Sequence, residues 1–178
     1  MLCVMLFLQP LLFGCGYRVT SGDAVGRVDG VHSTIKMVIG SVDDRSREPL
    51  LGALVRQGLA RRGMERSDVV IVNSSSKELD GVYVLSVELG KLWEDARAST
   101  ISDGSREYLL RGLADATVKR AGETVWLGRN ITARREFARG EDVDAIVFNK
   151  DRALKLLADD LAGEVMRRAL LGIRRIRK

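Results

Sequence analysis

Tyr83-Val84-Leu85-Ser86-Val87-Glu88-Leu89 alternates strictly, with Tyr83, Leu85, Val87 and Leu89 set against Val84, Ser86 and Glu88. Successive side chains of a pleated strand point to opposite sides, so this pattern marks a strand with one buried and one wet face. It recurs twice downstream. Tyr108, Leu110, Ala114, Ala116 and Val118 alternate with Arg111, Asp115 and Lys119, and Val125, Leu127, Ile131 and Ala133 alternate with Thr124, Asn130 and Thr132. Asp103-Gly104 separates the first two runs and Ala121-Gly122 the second two; both are hairpin signals. The expectation is a three-stranded antiparallel meander over residues 82–137. Gly90, Gly112 and Gly128, inside or beside these runs, mark bulges or a close approach of other groups to the backbone.

Upstream, Ile35–Ile39 reads as a short strand, followed by a charged loop from Gly40 to Pro49. Pro49 suits the first turn of a helix and Glu48 its positive end. Leu50, Leu51, Leu54, Val55 and Leu59 then recur at helical spacing, with Arg56, Arg61 and Arg62 opposite and Gly63 as a stop, which predicts an amphipathic helix over residues 48–62. Val69–Val72 is a short β-branched run. Downstream, Leu154, Leu157, Ala158, Leu161 and Val165 form the stripe of a long helix over residues 145–172, supported by Asp151/Lys155 and Glu164/Arg168 four apart. The fold class that follows is α+β, with two helices packed on one face of a mostly antiparallel four-stranded sheet. Residues 35–172 read as a single domain and residues 173–178 as a basic tail containing Arg174, Arg175, Arg177 and Lys178. Such a tail is either a solvated end or a contact for an anionic surface.

The 178 residues carry a net charge of +5, none of it in the first fourteen. A basic balance favours anionic partners without choosing among lipid, membrane surface and nucleic acid. The only cysteines are Cys3 and Cys15, and the only histidine is His32, so no disulfide framework, thiol nucleophile, Ser-His-Asp set or zinc pattern can be assembled in the domain. Asp43-Asp44, Asp142/Asp144 and Asp159-Asp160 read as solvated charge rather than as acid–base couples. No phosphate-binding glycine pattern is present. The reading is therefore of a non-enzyme with no metal and no cofactor.

Met1 to Phe13 is apolar apart from Gln9 and ends at Leu12-Phe13-Gly14-Cys15. At roughly 13 residues the run falls short of the ~20 that span a bilayer as a helix, and it fits the apolar region of a secretory signal. Residues 1–14 are thus read as a signal peptide and residues 15–34 as an irregular leader. The tetrad resembles the bacterial lipobox, which implies a diacylglyceryl thioether and an N-acyl group on Cys15. Phe13 is bulkier than that pattern usually has, and no Lys or Arg precedes the run.

Several motifs in order resemble the LPS-assembly lipoprotein LptE family over nearly all of the chain after residue 14. They are Gly14-Cys15-Gly16-Tyr17-Arg18; the strand Ile35–Ile39 leading into Asp43-Asp44-Arg45-Ser46-Arg47-Glu48-Pro49-Leu50, with Asp44 where the family more often has Asn; Asp80-Gly81-Val82-Tyr83-Val84-Leu85; Tyr108-Leu109-Leu110; Val125-Trp126 before Ile131-Thr132; and the final Arg152-Ala153-Leu154-x-x-Leu157-Ala158-x-x-Leu161-Ala162. The resemblance implies a periplasm-facing lipoprotein of the outer membrane that sits in an LptD-type β-barrel and assists transport of lipopolysaccharide, with no nucleic-acid role. The alternative is another exported α+β lipoprotein that activates cell-wall synthases or serves a secretion channel.

Strand direction makes a separate statement. The hairpin near 98–104 and the end of the last strand near 134–139 lie at one end of the sheet, which gathers Arg97, Arg106, Arg134, Arg135 and Arg139 there. Planar guanidinium forks suit phosphate, such as that of lipid A. Against this, the same arginines can form a solvated rim or pair with Glu94, Asp95, Asp103, Glu107, Glu136 and Glu141, and alternation puts Arg134 and Arg135 on opposite faces. Trp93 and Trp126 are either interface anchors or sheet packing.

Overall fold

The computed structural model describes residues 34–72, 81–99, 106–139 and 142–177. Cys15, the segments read as signal peptide and leader before Thr34, and residues 100–105 with the Asp103-Gly104 turn signal lie outside them. The elements in order are β1 (Ile35–Asp44), α1 (Leu51–Met64), β2 (Val69–Ile71), β3 (Tyr83–Leu89), β4 (Trp93–Ser99), β5 (Arg106–Arg120), β6 (Glu123–Arg139) and α2 (Val143–Ile176).

The α+β class and the helical layer are as expected, but the sheet is six-stranded and mixed rather than four-stranded and mostly antiparallel. β1 runs parallel to both β2 and β3. The crossover through α1 carries the chain back to the end where β1 began, so β2 must run parallel to β1. β3, β5 and β6 form the expected meander, with β5 antiparallel to both neighbours. Its first arm, however, is broken in two. β3 pairs with Ala114–Arg120 and β4 with Arg106–Arg111, while β6 follows β5 along nearly its whole length. A strand has two edges, so β3 and β4 share one of them in succession. The break falls at residues 90–92, where the Gly90 N–H still donates to the Leu113 carbonyl at 2.9 Å. Trp93-Glu94-Asp95-Ala96-Arg97 has charge on both faces, which hid this strand from a reading based on alternation.

Both helices cover one face. Leu157, Leu161, Val165 and Ile173 of α2 and Val55 and Leu59 of α1 are fully buried in one core with Leu85, Leu89, Leu110, Val118 and Ile131. Among the described residues the core runs from Ile35 to Ile173. The helices run parallel: Gly58 abuts Ala162, Gly63 lies near Met166, and Arg62 reaches Asp159 at 2.7 Å. A Cβ on Gly58 would stand 2.8 Å from that of Ala162, so the approach depends on glycine. α2 is longer at both ends than the 145–172 expected. Asp142 caps its start by accepting from the Asp144 N–H, and Arg174 and Arg175 fall in its last turn, where cations complement the helix dipole.

Consequently the molecule has two distinct ends. At the leader end lie the starts of β1, β3 and β6, aligned through Met37, Tyr83, Arg120 and Glu123, and the last turns of both helices. The far end holds β4, the start of β5, the end of β6 and the helix N-termini.

The turn from β1 into α1 is held from within. The Asp44 carboxylate accepts from Ser46 N–H at 2.8 Å and from Gly52 N–H at 2.7 Å, and the buried Ser46 hydroxyl accepts from Glu48 N–H. α1 has no side-chain cap at Leu50, so Asp44, eight residues back from Gly52, satisfies one of its free amides. A Cβ on Gly52 would come within 2.9 Å of that carboxylate. Asp44→Ala is expected to cost about 1–2 kcal/mol, the range for losing a helix cap. Denaturant unfolding checks this, and Asp44→Asn should also lose stability, because Ser46 N–H and Gly52 N–H use different carboxylate oxygens and an amide side chain offers only one acceptor.

Candidate functional site: the arginine-bearing far end

Strand register places the five predicted arginines at the far end. Arg106 lies opposite Arg139, and Arg135 opposite Leu110. Arg134 lies opposite Arg111. Arg97 sits at the register shift in β4 between Ala96 and Ala98.

The five are divided between the two faces. Arg135 shares the helix side with Leu110 and binds Asp160 of α2 at 2.7 Å. That hydrogen bond raises its pKa above the ordinary value. Arg139 lies over the Tyr108 ring, 5.3 Å from its centroid, with Glu94 at 3.8 Å. Alternation from Tyr108 puts Arg106 on this side too. Glu94 is held in turn by Lys150 of α2, which also binds Glu48, each at 3.1 Å. Burial opposes the Lys150 charge, but the hydrogen bonds it donates to the Glu94 and Glu48 carboxylates outweigh it, and the pKa stands above its usual value. This bridge ties the β1–α1 turn, β4 and α2 together. It lines an apolar groove of about 380 Å³ between Pro49, Leu51, Leu54, Ile146 and Val147.

Arg97 and Arg134 lie on the face away from the helices. Arg97 pairs with Glu136 at 3.1 Å. Arg134 makes no ion pair among the described residues. Its cross-strand neighbour Arg111 has only Asp95, at 3.9 Å, and Arg111 in turn stands opposite Trp93 on β4. A row Trp93–Arg111–Arg134 therefore crosses three strands. Like charges directly opposite across strands repel, so an anion placed over this pair would relieve an unfavourable contact. The Arg111 Nε is buried without a partner. Sequence reading put Arg111 on the wet face but did not connect it with Arg134, because that connection depends on register.

So three of the five arginines, Arg97, Arg135 and Arg139, are engaged by carboxylates. The pair best placed to meet an anion, Arg111 with Arg134, contains one predicted residue and one that was missed. Among the described residues no group of three or more His, Cys, Asp or Glu side chains is arranged to hold a metal.

No protein-family model and no curated protein matches the chain. Among solved structures, rare lipoprotein B from Shewanella oneidensis superposes with a TM-score of 0.53 at 17% identity, over 80% of this chain and 99% of that one. A minor lipoprotein from Acinetobacter baumannii gives 0.48 at 20% identity, over 79% and 92%. A lipoprotein from Caulobacter crescentus gives 0.45 at 16%, over 70% and 84%. The first of these likenesses establishes the fold: an α+β arrangement that this chain shares with rare lipoprotein B across nearly the whole of that protein.

Proposed function

We propose that the chain is an outer-membrane lipoprotein of the LptE type. It is anchored through lipid on Cys15, faces the periplasm, associates with an LptD-type β-barrel and assists lipopolysaccharide transport without catalysing a reaction. The observation that carries this reading is the ordered motif set, whose described members fall on elements of the corresponding kind. Asp43–Leu50 is the self-bonded turn that starts α1, Tyr83–Leu85 and Tyr108–Leu110 lie in β3 and β5, and Arg152–Ala162 lies within α2. The fold shared with rare lipoprotein B supports the same reading.

On this account the phosphates of lipopolysaccharide meet the face away from the helices, at Arg111 and Arg134, with Arg97 as the flanking contact and Arg106 on the opposite, helix side. A hydrogen bond to a charged group contributes about 1.5–3 kcal/mol, so Arg111→Ala/Arg134→Ala should weaken binding of purified lipopolysaccharide more than tenfold. Arg97→Ala and Arg106→Ala should weaken it less, Arg97 being already committed to Glu136. Dephosphorylated lipopolysaccharide should bind the unaltered chain as poorly as the double variant binds the native ligand. Unchanged binding by the double variant would remove the site assignment.

A further inference from the structure

The leader end carries a second basic surface that the far-end site does not use. Lys36 and Lys119 stand at this end on the face away from the helices, and Arg120, Arg174, Arg175 and Arg177 on the helix side, all exposed, so the cations ring the end of the sheet. Among the described residues the carboxylates at this end are Asp68, engaged by Arg66 and Arg174, Glu65, engaged by Arg61 and Arg62, and Glu123 at the start of β6. The guanidinium groups of Arg120 and Arg177 both lie 5.4 Å from the centroid of the Tyr83 ring, and Arg177 also donates to the Tyr83 hydroxyl. Helix dipoles account for Arg174 and Arg175, which sit in the last turn of α2, but not for Lys36, Lys119 and Arg120, which sit on strands.

Apolar groups lie beside these charges. A groove of about 460 Å³ runs between the start of β6 and the last turns of α2, and Trp126, Leu127, Leu171, Arg175 and Ile176 line it. Leu127, Leu171 and Ile176 are 49%, 43% and 54% exposed. Indole and aliphatic side chains beside outward-facing cations suit the boundary between lipid headgroups and acyl chains, where the apolar groups sink and the cations meet phosphate.

We infer that the leader end rests on an anionic phospholipid surface, with the cations at the headgroup phosphates and the groove at the acyl boundary. The orientation rests on the reading of Cys15 as the anchor. Ile35 lies twenty positions after Cys15, a stretch that reaches at most roughly 70 Å. It enters the fold at this end. A lipid at Cys15 therefore tethers the domain through this end, and the Arg111–Arg134 row lies toward the opposite one.

The test uses the chain from Gly16 onward, which lacks Cys15 and keeps every described residue of the core. It is mixed with vesicles of phosphatidylglycerol and phosphatidylcholine, or of phosphatidylcholine alone, and bound protein is measured by sedimentation. Binding should require phosphatidylglycerol and fall as salt rises. Each cation near such a surface contributes roughly fivefold. Lys119→Glu/Arg175→Glu should therefore lose at least about 25-fold, whereas Arg97→Glu/Arg134→Glu, with the same change in net charge, should lose far less. Equal losses for the two double variants, or equal binding to neutral vesicles, would overturn the inference. In a Trp93→Phe background, brominated lipid should quench Trp126; bound protein without quenching would also overturn it. Whether Cys15 carries lipid is read separately from the mass of the processed protein, so failure of the anchor and failure of this surface remain distinguishable.

Discussion

Cys15→Ser should release the protein from the membrane fraction. In a bacterium that processes lipoproteins, the unaltered chain should take up labelled palmitate, gain the mass of a diacylglyceryl and an N-acyl group, and sediment with membranes; the variant should do none of these. The size of the effect follows from the anchor. Each buried methylene contributes about 0.8 kcal/mol, one acyl chain holds a protein only marginally, and several hold it stably. Among the described residues no helix is long and apolar enough to cross a membrane. What association remains in the variant should come from the basic leader end and should be removed by salt. A variant that stays with the membrane as firmly as the unaltered chain, or an unaltered chain without added lipid mass, would contradict the anchor.

Two glycines of α2 should respond to alanine with opposite signs. The Trp126 indole lies with its six-membered ring against Gly128 and its five-membered ring against Gly172. A Cβ on Gly172 would stand 2.1 Å from the ring, and one on Gly128 would stand 2.4 Å from it, so the indole has little room to move aside. Alanine gains up to about 1 kcal/mol over glycine in a helix, but overpacking a filled site costs about 1–3 kcal/mol. Overpacking therefore wins, and Gly172→Ala should lose about 1–2 kcal/mol and change the tryptophan emission. Gly163 sits in the same helix with nothing closer to its added Cβ than Arg62 Nε at 3.7 Å. Gly163→Ala should gain up to about 1 kcal/mol. Thermal melts of both variants check the pair, at about 2–4 °C per kcal/mol for a chain of this size. A stabilised Gly172→Ala would mean that Trp126 is not held between these glycines.

Trp126 also shows what sequence can and cannot convey here. Gly112 and Gly128 were readable as places where something approaches the backbone, and it does: the Leu161 and Leu157 side chains at Gly112, the Trp126 ring at Gly128. Nothing local indicated that Gly172, 44 positions after Gly128 (172 − 128), closes on the same ring. Alternation found β3, β5 and β6, and helical spacing found both helices, because burial on one side writes its period into the sequence. Pairing leaves no such trace, so the parallel contacts of β1 with β2 and β3 could not be read. At the far end, the five arginines were correctly drawn to one end by strand direction. Their division between the faces, their carboxylate partners and the Arg111–Arg134 contact depend on register. The bulge at Arg97 and the break between β3 and β4 shift that register by amounts no period reveals.

The Asp43–Leu50 stretch is the reverse case. As a motif it supports a family resemblance; physically it supplies a cap to α1 that Leu50 cannot. Lys150 then links Glu48 of this turn to Glu94 of β4. The segment that most resembles a known family is thus also the one that joins three elements at the far end, on the helix side of the sheet and across it from the proposed ligand face.

Partnership with an outer-membrane barrel is tested by gentle crosslinking followed by affinity recovery from detergent-solubilised outer membrane. A large β-barrel protein of the LptD type should be recovered in near-equal amount with the unaltered chain. Recovery of the chain without any β-barrel, from cells in which it is lipidated and folded, would contradict it.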